Sequence, residues 1–299
     1  MWRIWTHIWQ VPKEPVTSGA LTRRVSVSGL VIFVLLTAAC ASSAVQQTVQ
    51  TDTFRVGPSA KLTVESVGGR VDVIAGPPGV IVIQASIQNP DKLLYEVKRD
   101  GDSIFVTAKR QPGLRNLAQV NGPSVEIIIT APSTTFIDVE THNGDVEIEG
   151  MQASGRVVTS SGAITLEGVI GDFVGGTADG EINIDSMIGK AFLETTNGDV
   201  NVVRGKGAFE LATGNGTIYF QGELTPGGNN GFLTSNGNIV IKLDGEPSLR
   251  VLASTVNGRV VSSWTLAAGS MDDNSVSGVI GAGEADLVIN AANGSVTLE

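Results

Sequence analysis

Carboxylates recur at a fixed interval in this 299-residue chain. Glu149, Glu167 and Asp185 stand 18 residues apart, and Asp145, Glu181 and Asp199 fall on the same interval. Stacked on one another, such files would offer hard oxygen ligands to a divalent cation such as calcium. The calcium-binding roll motif requires GGxGxDxUx, and GGTADGEIN at Gly175 to Asn183 lacks its third glycine and its aspartate. The files therefore read as a solvated acidic face, with no metal and no cofactor. His142, beside Glu140 and Asp145, is a single imidazole in a single turn, too little for a zinc site. With two histidines in the whole chain no Ser-His-Asp set can be drawn, and the glycine-rich stretches open no helices that would cradle phosphate. No catalytic residue is assigned and the chain is expected not to be an enzyme. A carbohydrate-active lyase or hydrolase on a β-helix is the alternative, and it would need long loops walling a cleft.

The one thiol, Cys40, offers a different chemistry. Arg23 and Arg24 precede the apolar run GLVIFVLL (Gly29 to Leu36), then the small residues TAACASSA. The run is far short of the roughly 20 residues a spanning helix needs, and its order of charge, apolar core and small residues is that of a secretory signal. LTAAC resembles the lipobox of bacterial lipoproteins, with Thr37 where leucine is usual, so Cys40 is the expected lipidation site and membrane anchor. Cleavage after Ala41 or Ala44, giving a soluble exported product, is the alternative. Residues 1–40 are read as the leader, with initiation near Leu21 expected, and 41–53 as a polar tether. Past the leader the chain holds 16 basic and 29 acidic residues, a net of −13, which excludes a nucleic-acid partner.

The elements that position these residues follow from the same interval. ETHNGDV at Glu140 to Val146 returns as ETTNGDV at Glu194 to Val200, and Gly144, Gly162, Gly180, Gly198 and Gly216 are spaced by 18. Gly237 and Gly258 follow at steps of 21, Gly294 closes the series, Gly278 is a weaker relative, and Gly69 marks a lone upstream copy. Two and four residues after the anchor the positions are apolar and mostly β-branched (Val146 and Ile148, Ile182 and Ile184), with polar residues between. That period of two predicts half-buried strands. A second strand precedes each anchor (Val139, Val157, Leu193, Leu211, Phe232). Independent Asn-Gly hairpins have no reason to keep an interval of 18, whereas coils stacked at about 4.8 Å do. The expected fold is all-β, a two-sheet parallel β-solenoid (single-stranded β-helix) of about 18-residue coils over 136–299, with an irregular N-terminal β cap over 54–135. The last strand, GSVTLE, is expected to leave its edge uncovered.

Three residues before the anchors stand Thr141, Thr159, Thr177, Thr195, Thr213, Thr234 and Thr255. They share parity with the inward apolar columns and are read as a structural ladder whose hydroxyls bond turn backbone or the threonine of the next coil. On the opposite parity Val158, Val174, Phe192, Leu233 and Leu252 point outward. The favoured reading is that irregular loops or the segment Ser262 to Asp286 cover them; otherwise they form a patch for a partner or a second copy.

The TNGDV-like corners, IITAP at Ile128 to Pro132 and the ending GVIGAGEADLVINAANGSVTL resemble the DUF4097-type adhesins, a bacterial family of β-strand repeat surface proteins. The resemblance covers about Phe54 to Glu299. It implies an exported, envelope-located scaffold or binding module with a surface ligand, protein or glycan, or with self-association, and it brings no catalytic residues.

Overall fold

The computed structural model describes residues 47–112 and 124–299. Cys40 and the leader lie outside the described residues. The described chain is all-β, with one 3-10 turn at Pro90–Lys92 and no α-helix. Before the regular repeats come β1 (Gln47–Arg55), β2 (Lys61–Ser66), β3 (Val71–Gly76), β4 (Val80–Gln88), β5 (Leu93–Asp100), β6 (Ser103–Arg110) and β7 (Ser124–Pro132). The repeats supply β8 (Phe136–Asn143), β9 (Val146–Glu149), β10 (Gly155–Ser161), β11 (Ile164–Glu167), β12 (Phe173–Asp179), β13 (Ile182–Asp185), β14 (Ile188–Asn197), β15 (Val200–Asn215), β16 (Ile218–Leu224), β17 (Asn229–Asn236) and β18 (Ile239–Leu243). Then follow β19 (Leu249–Asn257), β20 (Val260–Ser262), β21 (Ala268–Asp272), β22 (Ser275–Ile280), β23 (Ala285–Asn293) and β24 (Val296–Leu298).

Each coil contributes to two rows of hydrogen-bonded strands. The first row runs β5–β6–β2–β8–β10–β12–β14–β15–β17–β23–β19–β22–β21. The second runs β1–β4–β7–β3–β9–β11–β13–β15–β16–β18–β24–β20. In the regular middle the register is parallel and spaced by 18, as in Thr159 opposite Thr141 and Thr177. β15 belongs to both rows, bending at Gly205, and the strands form one continuous sheet. The pairs β1–β4, β4–β7, β5–β6, β19–β22 and β21–β22 are antiparallel, so the solenoid-like stack is of mixed orientation. The antiparallel pairs sit at the two ends, where a strand must turn back to occupy an edge that no further coil will cover.

Three sequence expectations are corrected here. The last strand is not an edge: β23 lies between β17 and β19, and β24 between β18 and β20, so the final coil fills a gap left between two earlier ones. Its anchors stack in the order Gly237, Gly294, Gly258. Gly278 is no corner, since it lies in β22 opposite Gly269. Residues 47–53, read as tether, form most of β1, whose side chains alternate between exposed and half-buried with none fully buried. The backbone ladder to β4, which has a free edge there, holds that strand, and no apolar pattern in the sequence announces it.

The interior is filled by the inward columns. Along one column Gly155, Phe173, Ala191 and Phe209 lie in register, small against large. A Cβ at Gly155 would lie 2.7 Å from the Phe173 ring, so the glycine is the space the ring needs. Phe209 meets Phe220 at 4.9 Å, and Phe220 meets Phe232 edge-on at 5.4 Å. Where the next residue of that column would fall, the buried Asn230 donates to the Asp286 carbonyl and accepts the Phe209 N–H. The far end of the core is closed by Trp264, Val276 and Ile280, all buried.

Candidate functional site

The turn residues form two polar ladders. The hydroxyls of Thr159, Thr177, Thr195, Thr213, Thr234 and Thr255 each donate to the carbonyl of the anchor glycine in the neighbouring coil, at 2.7–3.1 Å. All seven threonines are buried, and Thr141 alone of them leaves its hydroxyl without a partner. Outside them, Asn197, Asn215, Asn236, Asn293 and Asn257 pass side-chain amide hydrogen bonds from coil to coil at 2.8 Å, beginning from Asp179 at 2.7 Å. The glycine between the ladders is required by close approach. A Cβ on Gly198 would sit 2.0 Å from the Gly180 carbonyl oxygen.

The carboxylate files are dispersed. Asp145 and Asp199 accept the backbone N–H groups of Ala163 and Thr217 in the next coil, and Asp185 pairs with Arg204. Among the described residues no three His, Cys, Asp or Glu side chains are placed to hold a metal ion, and His142 is exposed on β8. Between the neighbouring strands β19 and β23, Arg250 and Asp286 form a two-point pair, which raises the guanidinium and lowers the carboxyl, the shared hydrogen bond being the main cause.

The outward face of the first row carries the candidate site. Val174, Phe192 and Glu210 lie side by side on β12, β14 and β15. Val174 is 45% exposed and Leu252 50%, while Val158, Phe192 and Leu233 are half-buried. The segment Ser262 to Asp286 does not cover them. It forms the β21–β22 hairpin, which extends the row edgewise beyond β19, so the expectation of a lid is corrected.

A groove of about 560 Å³ opens on this face. Its floor is Val174, Phe192 and Ala208, its polar rim Asp172, Lys190 and Glu210, and its wall Thr225 to Asn229. The wall exists because the interval rises from 18 to 21 between Gly216 and Gly237, with the surplus residues falling between Leu224 and Gly231. Thr225 and Gly227 donate backbone hydrogen bonds to Gly207 and Glu284, and Asn230 also donates to the Gly228 carbonyl, so the wall is tied to both neighbouring coils. The Asp172 carboxylate accepts the Lys190 backbone N–H at 2.9 Å. Beside the groove, Glu194 is half-buried next to Gly176, and burial pushes its carboxyl above the ordinary range. The parity pattern marks Val174 and Phe192. It does not mark the wall, Lys190 or Glu210, whose signal in the sequence is the irregular step.

The Toastrack DUF4097 family profile matches residues 60–299. The chain belongs to this family. The Toastrack match begins just before β2, at the first strand that enters the stack of coils. Solved structures resemble the chain over most of their own length. One is a putative adhesin from Bacteroides fragilis, 15% identical, covering 84% of this chain and 97% of its own with a TM-score of 0.38. Another is a putative cell adhesion protein from Clostridium sporogenes, 12% identical, covering 84% and 99% with a TM-score of 0.24. A third is a putative lipid binding protein from Parabacteroides distasonis, 11% identical, covering 84% and 97% with a TM-score of 0.25. Among curated proteins none matches the chain.

Proposed function

We propose that this Toastrack chain is a non-enzymatic surface scaffold or binding module of the cell envelope, whose regular middle, taken as a two-sheet parallel β-solenoid, presents an outward face to a ligand. The observation that carries the reading is the uncovered apolar strip on an otherwise acidic protein: Val174, Ile188, Val288 and Leu252 remain 41–50% exposed on or beside one row of strands. Such a strip on a rigid ladder costs solubility unless something is to be bound there. Neighbouring side chains are held at strand spacing, so a bound partner orders little of the protein.

Export with a lipid on Cys40 belongs to the same reading. Six residues lie between Cys40 and Gln47, so an acylated cysteine would keep the start of β1 within about 25 Å of the bilayer. The test is twofold. Globomycin-sensitive fatty-acid labelling of the exported protein, lost in Cys40→Ser, is expected. The exported chain should also be retained on a panel of glycans and matrix proteins, and retention should fall when Val174 and Leu252 are replaced by serine. A chain that binds nothing on such a panel, or that turns over a polysaccharide, would overthrow the proposal.

A further inference from the structure

We infer that the groove between Phe192 and the Thr225–Gly228 wall takes a basic segment of a partner protein, a lysine or arginine side chain lying over Phe192 with its charge between Glu210 and Glu194. The inference rests on the surface-binding reading above and supplies its ligand class.

Phe192 has Glu210 as its register neighbour on β15 and Glu194 two residues along its own strand, on the same face. Strand geometry puts those neighbours at about 5 and 7 Å. A cation within about 6 Å of an aromatic centroid is attracted by the ring face, and from there both carboxylates are within reach. The apolar stem of lysine or arginine would cover Val174 and Phe192 while its head reaches the acids. Neither Glu194 nor Glu210 forms an ion pair within the described chain, and Glu194 is already partly stripped of water. A partner's cation supplies the missing counter-charge.

Other occupants fit less well. The net charge of −13 past the leader repels a second copy or an acidic partner. Lys190, also without an ion pair and two residues to the other side of Phe192, disfavours a run of consecutive basic residues and selects one basic residue flanked by neutral or acidic ones. The groove lies in the size range of small-ligand pockets and is kept open by small residues, Ala208, Gly227 and Gly228. Gly231, the register partner of the rim residue Glu210, stands beside it. A Cβ on Gly231 would meet only the Glu210 side chain, at 3.8 Å. A side chain there is tolerated by the fold, and a basic one would set a cation against Glu210 in place of a partner's.

The test uses the exported full chain against immobilised 12-residue peptides of alternating apolar and polar residues, with arginine, glutamine or glutamate at the centre. Arginine peptides should bind about tenfold more tightly than their glutamine counterparts. Phe192→Ser, Glu210→Lys and Gly231→Arg should each lose that preference while keeping the melting temperature of the parent. Glu149→Lys, on the other row, makes the same charge change away from the groove and should leave binding within about twofold. Equal binding of arginine and glutamine peptides, equal loss in Glu149→Lys and Glu210→Lys, or no retained basic peptide would overturn the inference. If neutral oligosaccharides bind instead and are lost in Phe192→Ser, the surface-binding reading stands and the cationic ligand falls. If peptides, glycans and matrix proteins all fail to bind, both fall.

Discussion

The Thr195 hydroxyl donates to the Gly180 carbonyl at 2.9 Å, joining one coil to the next through a buried corner. The same bond recurs at five other threonines, whereas Thr141 occupies the matching position without it. Removing the donor at Thr195 leaves the part-buried Gly180 carbonyl without that partner. Thr195→Val is therefore expected to cost about 1–3 kcal/mol in urea unfolding. Thr141→Val, which removes a hydroxyl already without a partner, is expected to be neutral or to stabilise by up to about 1 kcal/mol. Equal losses at the two sites would show that the ladder bonds do not matter energetically.

Gly198→Ala tests the close approach at the corner. The added methyl would meet the Gly180 carbonyl oxygen at 2.0 Å, and backbone cannot yield cheaply. A loss of about 2–4 kcal/mol is expected. Gly168, also at positive φ but with nothing within 4 Å of its would-be Cβ, should lose only about 1 kcal/mol on the same change.

Removing the final coil should do more than fray an end. Without Ala285–Leu298, β19 and β20 lose their parallel partners and β17 and β18 their outer neighbours. Hydrogen exchange on a chain ending at Glu284 is expected to show β19, β20 and the β21–β22 hairpin losing protection together. Protection kept in β19 would mean that the outer coil stands without its filler.

Glu194 sets a pH dependence. Burial raises its folded pKa above the unfolded value, so the folded state binds more protons between the two. Stability must then fall as pH rises through that window, since the slope follows the difference in bound protons. Glu194→Gln is expected to be more stable than the parent at neutral pH and to lose that advantage below the ordinary glutamate range, as measured by thermal melts from acid to neutral pH.

Tyr95 offers a further test on β5, at one end of the first row. Its hydroxyl is buried without a partner, and burial first, with Asp52 second, raises its pKa. Tyr95→Phe is expected to stabilise by up to about 1 kcal/mol, measured by urea unfolding.

The sequence by itself determined which residues point in and where each coil turns. A strand repeats its side-chain direction every two residues and a stacked coil repeats its corner every 18, so Thr159, Val157 and Gly162 announce their places locally. Which coil lies beside which was decided only in the tertiary structure. Asn293 and Asn257 carry the same corner signature, and nothing in either says that Asn293 stacks on Asn236 and Asn257 on Asn293. The groove has the same origin: the longer step between Gly216 and Gly237 marks extra residues, but only the coil-to-coil hydrogen bonds of Thr225, Gly227 and Asn230 hold them as a wall beside Phe192. Strand pairing is a contact between distant parts of the chain, and a repeat whose copies are nearly alike leaves their order to the packing at the two ends.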